Sequence, residues 1–362
     1  MNILLVSGFF YPENTPRAFR TTELAKEFVR RGHQITVIVP QSTFDYTNLL
    51  AEYPMKIIQY NKPEGSRVFT KIKLVDRLIF RLLNQFYAYP NIKLRKPLRK
   101  VIKNEQGYDL LITIAVPHMI HWEFGKLYAK GKRAAKNWVA DCGDSFMLNK
   151  SSNYKKPFYF KHLEKTWCRY CDYIAVPLES EKENYYTEFI EKVRVIPQGF
   201  DFSVLETNQV EPHNEVLTFA FSGSFIPNLR DPRPILDYLV YTKKDFKFIV
   251  YTKQKDLLTP YIGRLGSKLE IREFIPREEL LKVLSQCDFL LNIDNGKAKG
   301  RPSKLIDYAL SGRPILSLNS NDIDRQLIDE FLRGDYSRKY EIGDIEQFNI
   351  KNVAQQFLDL CK

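Results

Sequence analysis

Residues 300 to 314, GRPSKLIDYALSGRP, place a lysine and a carboxylate on the first turn of a short predicted helix. The N–H groups around Ser303, Lys304 and Leu305, with the positive end of the helix dipole, would form a site for a phosphate. Lys304 would add a full positive charge, and Asp307 would accept hydrogen bonds from ribose hydroxyls. The stretch therefore predicts a nucleotide-binding site. In the alternative interpretation, Asp307 is only a charge favoured near a helix N-terminus and Lys304 is a solvated surface residue.

The elements around this stretch would place it at the edge of a parallel sheet. An apolar strand, CDFLLNI (287 to 293), runs into the loop DNGKAKGRP and then into the helix. In open parallel sheets, ligands bind outside the carboxyl ends of strands, where loops lead into helix N-termini. We therefore expect the nucleotide at the carboxyl end of this strand.

Short apolar strands alternate with helical stretches along the chain, which is typical of doubly wound α/β domains. The strands predicted in the first series are NILLVS, QITVIV, DLLITIAV, NWVAD, DYIAVP and KVRVIPQG. Besides CDFLLNI, the strands predicted in the second series are LTFAFSGS, FKFIVYT, KLEIREF and RPILSL. The polar segment SVLETNQVEPHNE separates the two series and reads as a linker.

This organisation predicts two Rossmann-like domains in tandem. We place the amino-terminal domain at residues 1–202 and the second at residues 203–345. A last helix lies within residues 346–362. In the first helix, AFRTTELAKEFVRRG, we expect Phe19 and Leu24 in the buried stripe and Arg20 facing water.

Length and charge limit the classes of protein. A chain of 362 residues is too long for one typical core and fits two domains. The 55 Lys and Arg outnumber the 43 Asp and Glu, a formal net charge of +12, which favours a polyanionic partner such as nucleic acid, an anionic membrane or a phosphorylated substrate. We expect neither a membrane-spanning helix nor a signal peptide, and hence a cytoplasmic location.

The five cysteines form an odd set, which fits a reducing compartment better than a disulfide framework. Cys168 and Cys171 make a lone CxxC pair with no second pair to complete a zinc site. We expect both to be packing residues, with a metal or redox role as the alternative.

Several motifs together resemble one known family. PSKLIDYALSGRPIL is similar to the donor-binding motif of retaining GT-B glycosyltransferases of family 4, P-S-K-L-x-E-Y-x-x-x-G-x-P-[VI]-[LI]. MNILLVSGFFYPENTPRAFRTTELAKEFVRRGHQITVIVP resembles the family's amino-terminal strand, loop and helix, and VIPQGFD (195 to 201) resembles its V-I-P-N-G-V-D. The resemblance covers nearly the whole chain and implies two Rossmann-like domains facing a central cleft, the first binding the acceptor and the second the donor.

For the donor, the resemblance assigns the ribose contact to Asp307, where the family usually has Glu. The acidic residue that often contacts the donor sugar is replaced here by Lys299. A basic residue after the first strand of the second domain would clamp the diphosphate, and of Arg230 and Arg233 we favour Arg230, acting with Lys304.

Three further positions follow from the same resemblance. Backbone groups around Ile275 and Arg277, in FIPREELL, would lie beside the nucleobase. Gly223, in FSGSF, falls in the donor loop, and Gly8 follows the first strand, where the backbone of relatives approaches the donor phosphates. The usual glycine pair of that loop is missing from GFFYPENTPR.

The resemblance also points to residues near the reacting sugar. In AVPHMIHWEFGK, His118 and His121 are candidates, and Asp144 matches an aspartate of the family's A-D-x-R-D-x-W motif. His118, Asp144, Arg230 and Lys304 are our predicted catalytic residues. A histidine in either position is alternatively a structural residue with satisfied hydrogen bonds.

The implied reaction moves a sugar with retention from a UDP- or GDP-sugar to a glycan or a polyprenyl-diphosphate-linked acceptor, in the synthesis of O-antigen, capsule or exopolysaccharide. The helix N-terminus, Lys304 and Arg230 would stabilise the departing diphosphate, so we expect no cofactor and no metal. The alternatives are a sugar-nucleotide epimerase and a sugar-nucleotide-binding protein without transferase activity.

A basic segment in the first domain suggests a membrane partner. Residues 66–105 hold eleven Lys and Arg against two acidic residues, interleaved with apolar side chains. Such a segment can lie on the anionic inner face of the cytoplasmic membrane, or it is a solvated helix face. Nucleic acid is not expected as a partner, since no recognised binding module is present.

Overall fold

The computed structural model of the protein describes residues 1–13, 15–62, 73–149, 155–203, 212–294 and 304–362. The chain divides into two compact units: Met1–Asp201 together with Gln347–Lys362, and Phe202–Glu346. These boundaries lie one residue away from those that we placed at 202 and 345.

All strands of the first unit pair in parallel within the described residues. The strands are β1 (Asn2–Ser7), β2 (Gln34–Pro40), β3 (Lys56–Tyr60), β4 (Tyr108–Ala115), β5 (Ala135–Cys142), β6 (Tyr173–Val176) and β7 (Val193–Val195). Their order is β3-β2-β1-β4-β5-β6-β7. The sequence prediction missed β3, a short strand in which Tyr60 is buried and the other side chains are half-buried or exposed.

The second unit holds a smaller parallel sheet. Its strands are β8 (Thr218–Ser222), β9 (Lys247–Tyr251), β10 (Leu269–Arg272), β11 (Phe289–Asp294) and β12 (Ile315–Asn319), in the order β10-β9-β8-β11-β12. In each unit the winding reverses at the first strand, since β1 lies between β2 and β4, and β8 between β9 and β11. The carboxyl ends of these strands are where an open sheet binds its ligand.

Helices cover both faces of the two sheets. The α-helices are α1 (Pro16–Arg30), α2 (Thr47–Glu52), α3 (Lys73–Tyr87), α4 (Arg95–Ile102), α5 (Met119–Ala129), α6 (Tyr159–Tyr170), α7 (Arg233–Tyr241), α8 (Thr259–Leu265), α9 (Arg277–Ser285), α10 (Lys304–Leu310), α11 (Arg325–Phe331) and α12 (Ile350–Asp359). The last of these belongs to the first unit, where it packs across α1. None of the described helices has the length and the hydropathy needed to cross a membrane.

The first helix corrects the expected orientation of its side chains. Thr15 caps α1 by accepting from the backbone N–H of Ala18 at 3.2 Å, and Leu24 is buried as expected. Phe19, however, is 37% exposed, whereas Arg20 is only 2% exposed. Arg20 instead reaches the carboxyl ends of β5 and β7, where it donates to Asp141 and to the carbonyl oxygens of Ile196 and Pro197. The Phe357 ring of α12 lies 5.1 Å from its guanidinium carbon.

The CxxC pair is buried in the core of the first unit. Cys168 and Cys171 are free thiols, and burial raises the pKa of Cys171 to about 12. Both side chains pack among the apolar residues of one core cluster. A thiol held neutral in this way neither binds a metal ion readily nor reacts as a nucleophile.

Candidate functional site

In the second unit, the Lys304 ammonium lies buried at the carboxyl edge of the sheet. Its Nζ sits 4.4 Å from the centre of the Phe221 ring and has no hydrogen-bond partner among the described residues. Burial, and next the nearby charge of Arg230, lower the pKa of Lys304 to about 7, while Asp294 acts in the opposite direction. Lys304 is therefore a buried amine to which an anionic ligand would supply the opposite charge.

The loop that follows β8 brings a guanidinium to the same place. Arg230 donates from Nη1 to the carbonyl oxygen of Ser224 at 3.1 Å, and burial lowers its pKa. Gly223 has φ of 143°, a conformation that favours glycine over any other residue, and Lys304 lies beside it. The structure thus brings together Gly223, Arg230 and Lys304, three of the predicted donor-binding residues.

Arg233, the less favoured of the two predicted arginines, has a different environment. Its Nε donates to Oδ1 of Asp231 at 2.9 Å, and its side chain is about half exposed. The Arg233 guanidinium is therefore engaged in an ion pair with Asp231 within the loop.

Asp307 and Arg277 form an ion pair. Nε of Arg277 donates to Oδ1 of Asp307 at 2.8 Å. Burial raises the pKa of Asp307, and the charge of Arg277 opposes that shift. Ile275, in the loop before α9, packs against the same core cluster as α10. The Arg277 guanidinium therefore fixes the orientation of the Asp307 carboxylate.

Sequence reasoning missed Tyr308, which fixes this site in place. Its side chain is fully buried, and its hydroxyl accepts a hydrogen bond from the backbone N–H of Ser222 at 2.8 Å. This bond ties α10 to the carboxyl end of β8. The signal was present in the sequence as the tyrosine that directly follows Asp307 in the motif.

Two predicted positions, Lys299 and Ser303, lie outside the described residues. Leu305, whose backbone we expected at a phosphate, buries its side chain in the core of the second unit. The described part of α10 begins at Lys304.

In the first unit, two loops at the carboxyl ends of β1 and β4 pack tightly together. A Cβ at Gly8 would lie 2.2 Å from Cδ of Pro117, so the contact requires glycine. Asp144, in the loop after β5, is exposed. Gly8, His118 and Asp144 therefore all lie in loops at one edge of the sheet.

The two candidate histidines have opposite surroundings, although they are only three positions apart in the sequence. His121 is fully buried, and its Nδ1 lies 2.8 Å from Oγ1 of Thr113. Because Thr113 also accepts from Nε1 of Trp138 at 2.8 Å, its hydroxyl proton is left for His121. Nε2 of His121 lies 3.2 Å from Sγ of Cys142. His121 is thus a satisfied structural residue, the alternative considered above.

His118, in contrast, keeps an unsatisfied nitrogen. It is 8% exposed, and its Nδ1 has no hydrogen-bond partner among the described residues. Burial, followed by the charges of Arg17 and Lys156, lowers the pKa of His118 to about 3. The imidazole is therefore neutral at physiological pH, and its Nδ1 can accept or donate one hydrogen bond, depending on the tautomer.

His118, His121 and Cys142 lie near enough to one another to share a metal ion, with ligand atoms within 4.8 Å. The chemistry of this group does not favour a cation. Both ring nitrogens of His121 already have partners. Burial holds the pKa of Cys142 well above its usual value, and the charges of Arg17 and Lys156 reach His118.

The helix α3, within the basic segment noted above, exposes an apolar stripe. Val75, Leu78, Leu82 and Phe86 fall on one face of the helix and are all exposed, Leu78 by 58%. Residues 66–72 of the segment lie outside the described residues. Arg77 and Arg81 lie on the polar side of the helix.

Solved glycosyltransferase structures share the two-unit architecture. The lipopolysaccharide outer core galactosyltransferase WaaB in its apo form has 13% identity and a TM-score of 0.59, with 99% of each chain covered. A glycosyltransferase from Rickettsia africae has 11% identity and a TM-score of 0.66, covering 99% of this chain and 97% of that one. Anabaena Alr3699/HepE in complex with UDP-glucose has 12% identity and a TM-score of 0.58, covering 99% and 98%.

These similarities, with the two parallel sheets, identify the fold as the two-domain Rossmann-like GT-B fold. No curated protein matches the sequence significantly. The sequence model of Glycosyltransferase Family 4 matches residues 19–204, more than half of the chain. The protein belongs to this family and is a glycosyltransferase.

Proposed function

We propose that this enzyme transfers a sugar, with retention of anomeric configuration, from a UDP- or GDP-sugar to a glycan or lipid-linked saccharide in cell-surface polysaccharide synthesis. The observation that carries the proposal is the buried Lys304 ammonium beside Arg230, with no hydrogen-bond partner among the described residues. A buried charge without a counterion is unfavourable. The diphosphate of a sugar nucleotide would supply the missing negative charge at the carboxyl end of β8.

The same cations would act in the reaction. When the bond from the anomeric carbon to the donor phosphate breaks, negative charge grows on the departing diphosphate. Arg230 and Lys304 would stabilise this charge in a buried site, where electrostatic effects are strong. We expect activity without a metal ion because these two side chains can neutralise the leaving group themselves.

In the first unit, His118 and Asp144 are the residues that we propose to contact the reacting sugar or the acceptor. His118 is neutral near pH 7, and its Nδ1 has no hydrogen-bond partner within the described part of the chain. In a retaining transfer the acceptor hydroxyl attacks from the face of the leaving group. A neutral imidazole can hold that hydroxyl, or a hydroxyl of the donor sugar, through one hydrogen bond.

The first test is thermal stability in the presence of UDP, GDP, ADP and CMP, for the wild type, Asp307→Ala and Asp256→Ala. A nucleotide at a hundredfold excess over its dissociation constant stabilises the folded protein by about 2.7 kcal/mol. We expect stabilisation by one diphosphate, lost in Asp307→Ala and kept in Asp256→Ala, whose aspartate is exposed. No stabilisation by any of the four would contradict the donor-site assignment.

A second experiment separates the alternatives. The matching sugar nucleotide is incubated with and without saccharide acceptors, and the products are followed by proton NMR. Transfer with the donor's anomeric configuration supports the proposal, and the opposite configuration contradicts retention. An epimer of the donor formed without acceptor indicates an epimerase. Donor binding with neither transfer nor hydrolysis indicates a binding protein.

We also propose that α3 attaches the enzyme to an anionic membrane surface. The exposed stripe of Leu78 and Leu82 would enter the headgroup region, and the basic residues would meet anionic lipids. Co-flotation with vesicles containing phosphatidylglycerol should be lost in the double variant Leu78→Glu/Leu82→Glu. It should persist in Tyr241→Glu, a control at an 80% exposed aromatic residue of the second unit. Equal binding by both variants, or no binding by the wild type, would refute attachment through α3.

A further inference from the structure

In the first unit, a buried carboxylate holds the loop that follows β5. Glu164, on α6, is 1% exposed. Its Oε1 accepts from the backbone N–H groups of Phe146 at 3.1 Å and Met147 at 3.3 Å. Its Oε2 accepts from the Tyr186 hydroxyl at 2.7 Å. One side chain therefore joins α6 to two other segments of the chain.

The three donors to Glu164 are all neutral groups. Glu123, another buried carboxylate of this unit, instead accepts from two arginines. Burial raises the pKa of Glu164, and its hydrogen bonds, of which the one from Tyr186 counts most, oppose that shift. Removing a carboxylate from water is costly, and neutral donors offset this cost less than an opposite charge does. What these hydrogen bonds supply is a fixed position for the backbone of the loop.

The loop that Glu164 holds carries or contacts two residues of the proposed site. The Phe146 ring lies 5.2 Å from the His118 ring, and Asp144 precedes Phe146 by two positions. The start of the loop is also held, because a Cβ at Gly143 would lie 2.1 Å from Nη2 of Arg17. The backbone is thus fixed on both sides of Asp144.

We propose that Glu164 is a positioning residue of the transfer reaction, which acts by holding the loop after β5 so that Asp144 and His118 keep their places. The inference rests on the proposed function, in which those two side chains contact the reacting sugar or the acceptor. A backbone N–H needs an acceptor oxygen within about 3.2 Å. The place of the Glu164 oxygens therefore matters more for this role than their charge.

Two variants separate the position of the carboxylate from its charge. Glu164→Gln keeps an acceptor oxygen for both amides and turns its NH₂ group to the Tyr186 hydroxyl, which can accept a hydrogen bond. Glu164→Asp keeps the charge but is one methylene shorter, which takes the carboxylate out of hydrogen-bond range of the loop. Hydrogen–deuterium exchange is followed on a peptide covering residues 143–149. Exchange of two amides should be about tenfold faster than in the wild type in Glu164→Asp, and within about threefold in Glu164→Gln.

Turnover is measured as release of the nucleoside diphosphate from the matching sugar nucleotide, with and without the saccharide acceptors of the NMR experiment. We expect kcat to fall about tenfold in Glu164→Asp, as for the loss of one hydrogen bond to a charged group, and the donor KM to stay within about twofold. Glu164→Gln should keep about a third or more of the wild-type kcat. When Asp144 is already changed to Asn, Glu164→Asp should lower kcat less than it does in the wild type, because part of its effect passes through that side chain.

Glu188→Gln is the matched control. It removes a carboxylate of the same unit that pairs with Lys165 and is 48% exposed. Loop exchange and kcat should both stay within about twofold of the wild type in this control. Nucleoside diphosphate affinity, measured on all samples by isothermal titration calorimetry, reports folding and the donor site of the second unit. We expect every variant to keep that affinity.

The inference is wrong if Glu164→Asp matches the wild type in loop exchange or in kcat. It is also wrong if Glu164→Gln loses as much as Glu164→Asp, since the charge would then matter more than the position. A parallel loss of nucleotide affinity in Glu164→Asp would mean that Glu164 supports the fold as a whole, which contradicts a positioning role. If the wild type releases no nucleoside diphosphate from any sugar nucleotide, the proposed function itself fails. If it does, and the two variants behave alike, only this inference fails.

Discussion

In the first unit, Arg20 is buried and donates to both oxygens of Asp141, whereas in the second unit the buried Lys304 ammonium has no hydrogen-bond partner among the described residues. Both cations occupy the carboxyl edge of a parallel sheet, but Arg20 has a carboxylate and backbone carbonyl oxygens as partners. Taking a charge out of water is costly unless a partner compensates it. The paired cation stabilises the fold, while the cation without a partner keeps a place for a ligand that brings the opposite charge.

A second buried ion cluster in the first unit also pairs opposite charges, as Arg20 and Asp141 do. The Glu123 carboxylate, on α5, accepts from Nε of both Arg95 and Arg99, on α4. Its side chain is fully buried, and the pairing joins the two helices. For these buried charges of the first unit, the protein itself supplies the opposite charge. Lys304 differs because no described residue hydrogen-bonds to its ammonium.

Breaking the compensated pair should have the largest effect on stability. Asp141→Asn leaves the Arg20 guanidinium buried with a neutral partner, which we expect to lower the free energy of unfolding by about 3–5 kcal/mol. Urea denaturation measures this change. Asp144→Asn, at an exposed site in the next loop, should stay within about 0.5 kcal/mol of the wild type. A similar small effect of both variants would mean that the buried pair contributes little.

Removing the cation in the second unit should have the opposite effect on the ligand-free protein. Lys304→Met replaces a buried amine with an apolar side chain of similar length, so the thermal midpoint without ligand should stay equal or rise. Stabilisation by a nucleoside diphosphate, about 2.7 kcal/mol at a hundredfold excess over its dissociation constant, should disappear. Lys243→Met, at an exposed lysine, should keep it. If the nucleotide stabilises Lys304→Met as much as the wild type, Lys304 does not bind the diphosphate and the contrast with Arg20 is wrong.

Affinity for the nucleotide should depend on pH because of the same lysine. The pKa of Lys304 in the free protein is about 7, and a bound diphosphate would raise it by favouring the protonated form. The protonated fraction falls as pH rises above 7, so affinity should fall by about tenfold, or about 1.4 kcal/mol, per pH unit there. Titration calorimetry between pH 7 and 9 measures this dependence.

The matched variant for the pH experiment is Lys304→Arg. A guanidinium remains protonated throughout the range, so any affinity that the variant retains should vary little with pH. If wild-type affinity is as flat as that of the variant, the lysine is already fully protonated in the free enzyme and the unpaired-cation interpretation is wrong.

The smallest expected effect concerns the hydrogen bond from Ser222 N–H to the Tyr308 hydroxyl, which positions α10 in the second unit. Tyr308→Phe leaves the buried N–H of Ser222 without its acceptor, so we expect the free energy of unfolding to fall by about 1–2 kcal/mol. Urea denaturation again provides the measurement, with Tyr241→Phe, an 80% exposed site, as the control. A loss of nucleotide affinity larger than the loss of stability would indicate that the bond mainly orients α10.

The strand pattern was sufficient to predict most of the two sheets, because buried parallel strands form short apolar runs that differ clearly from the helices between them. The prediction failed where contacts with segments distant in the chain determine which side chains are buried. Strand β3 has few buried side chains, and Arg20 is buried because it reaches Asp141 on β5, the loop after β7 and the Phe357 ring of α12. Neither feature has a local signal, since each depends on a segment that is distant in the chain.

By itself, the sequence determined that the chain forms two α/β units and that PSKLIDYALSG carries Lys304 and Asp307 on one helix, because such properties follow from local periodicity and spacing. Only the tertiary structure decided which charged or polar groups are compensated. His118 and His121 are alike in sequence, but Thr113 and Cys142 satisfy His121, whereas Nδ1 of His118 has no partner among the residues that the structure describes. Compensation depends on which side chains meet across elements, and packing alone decides that.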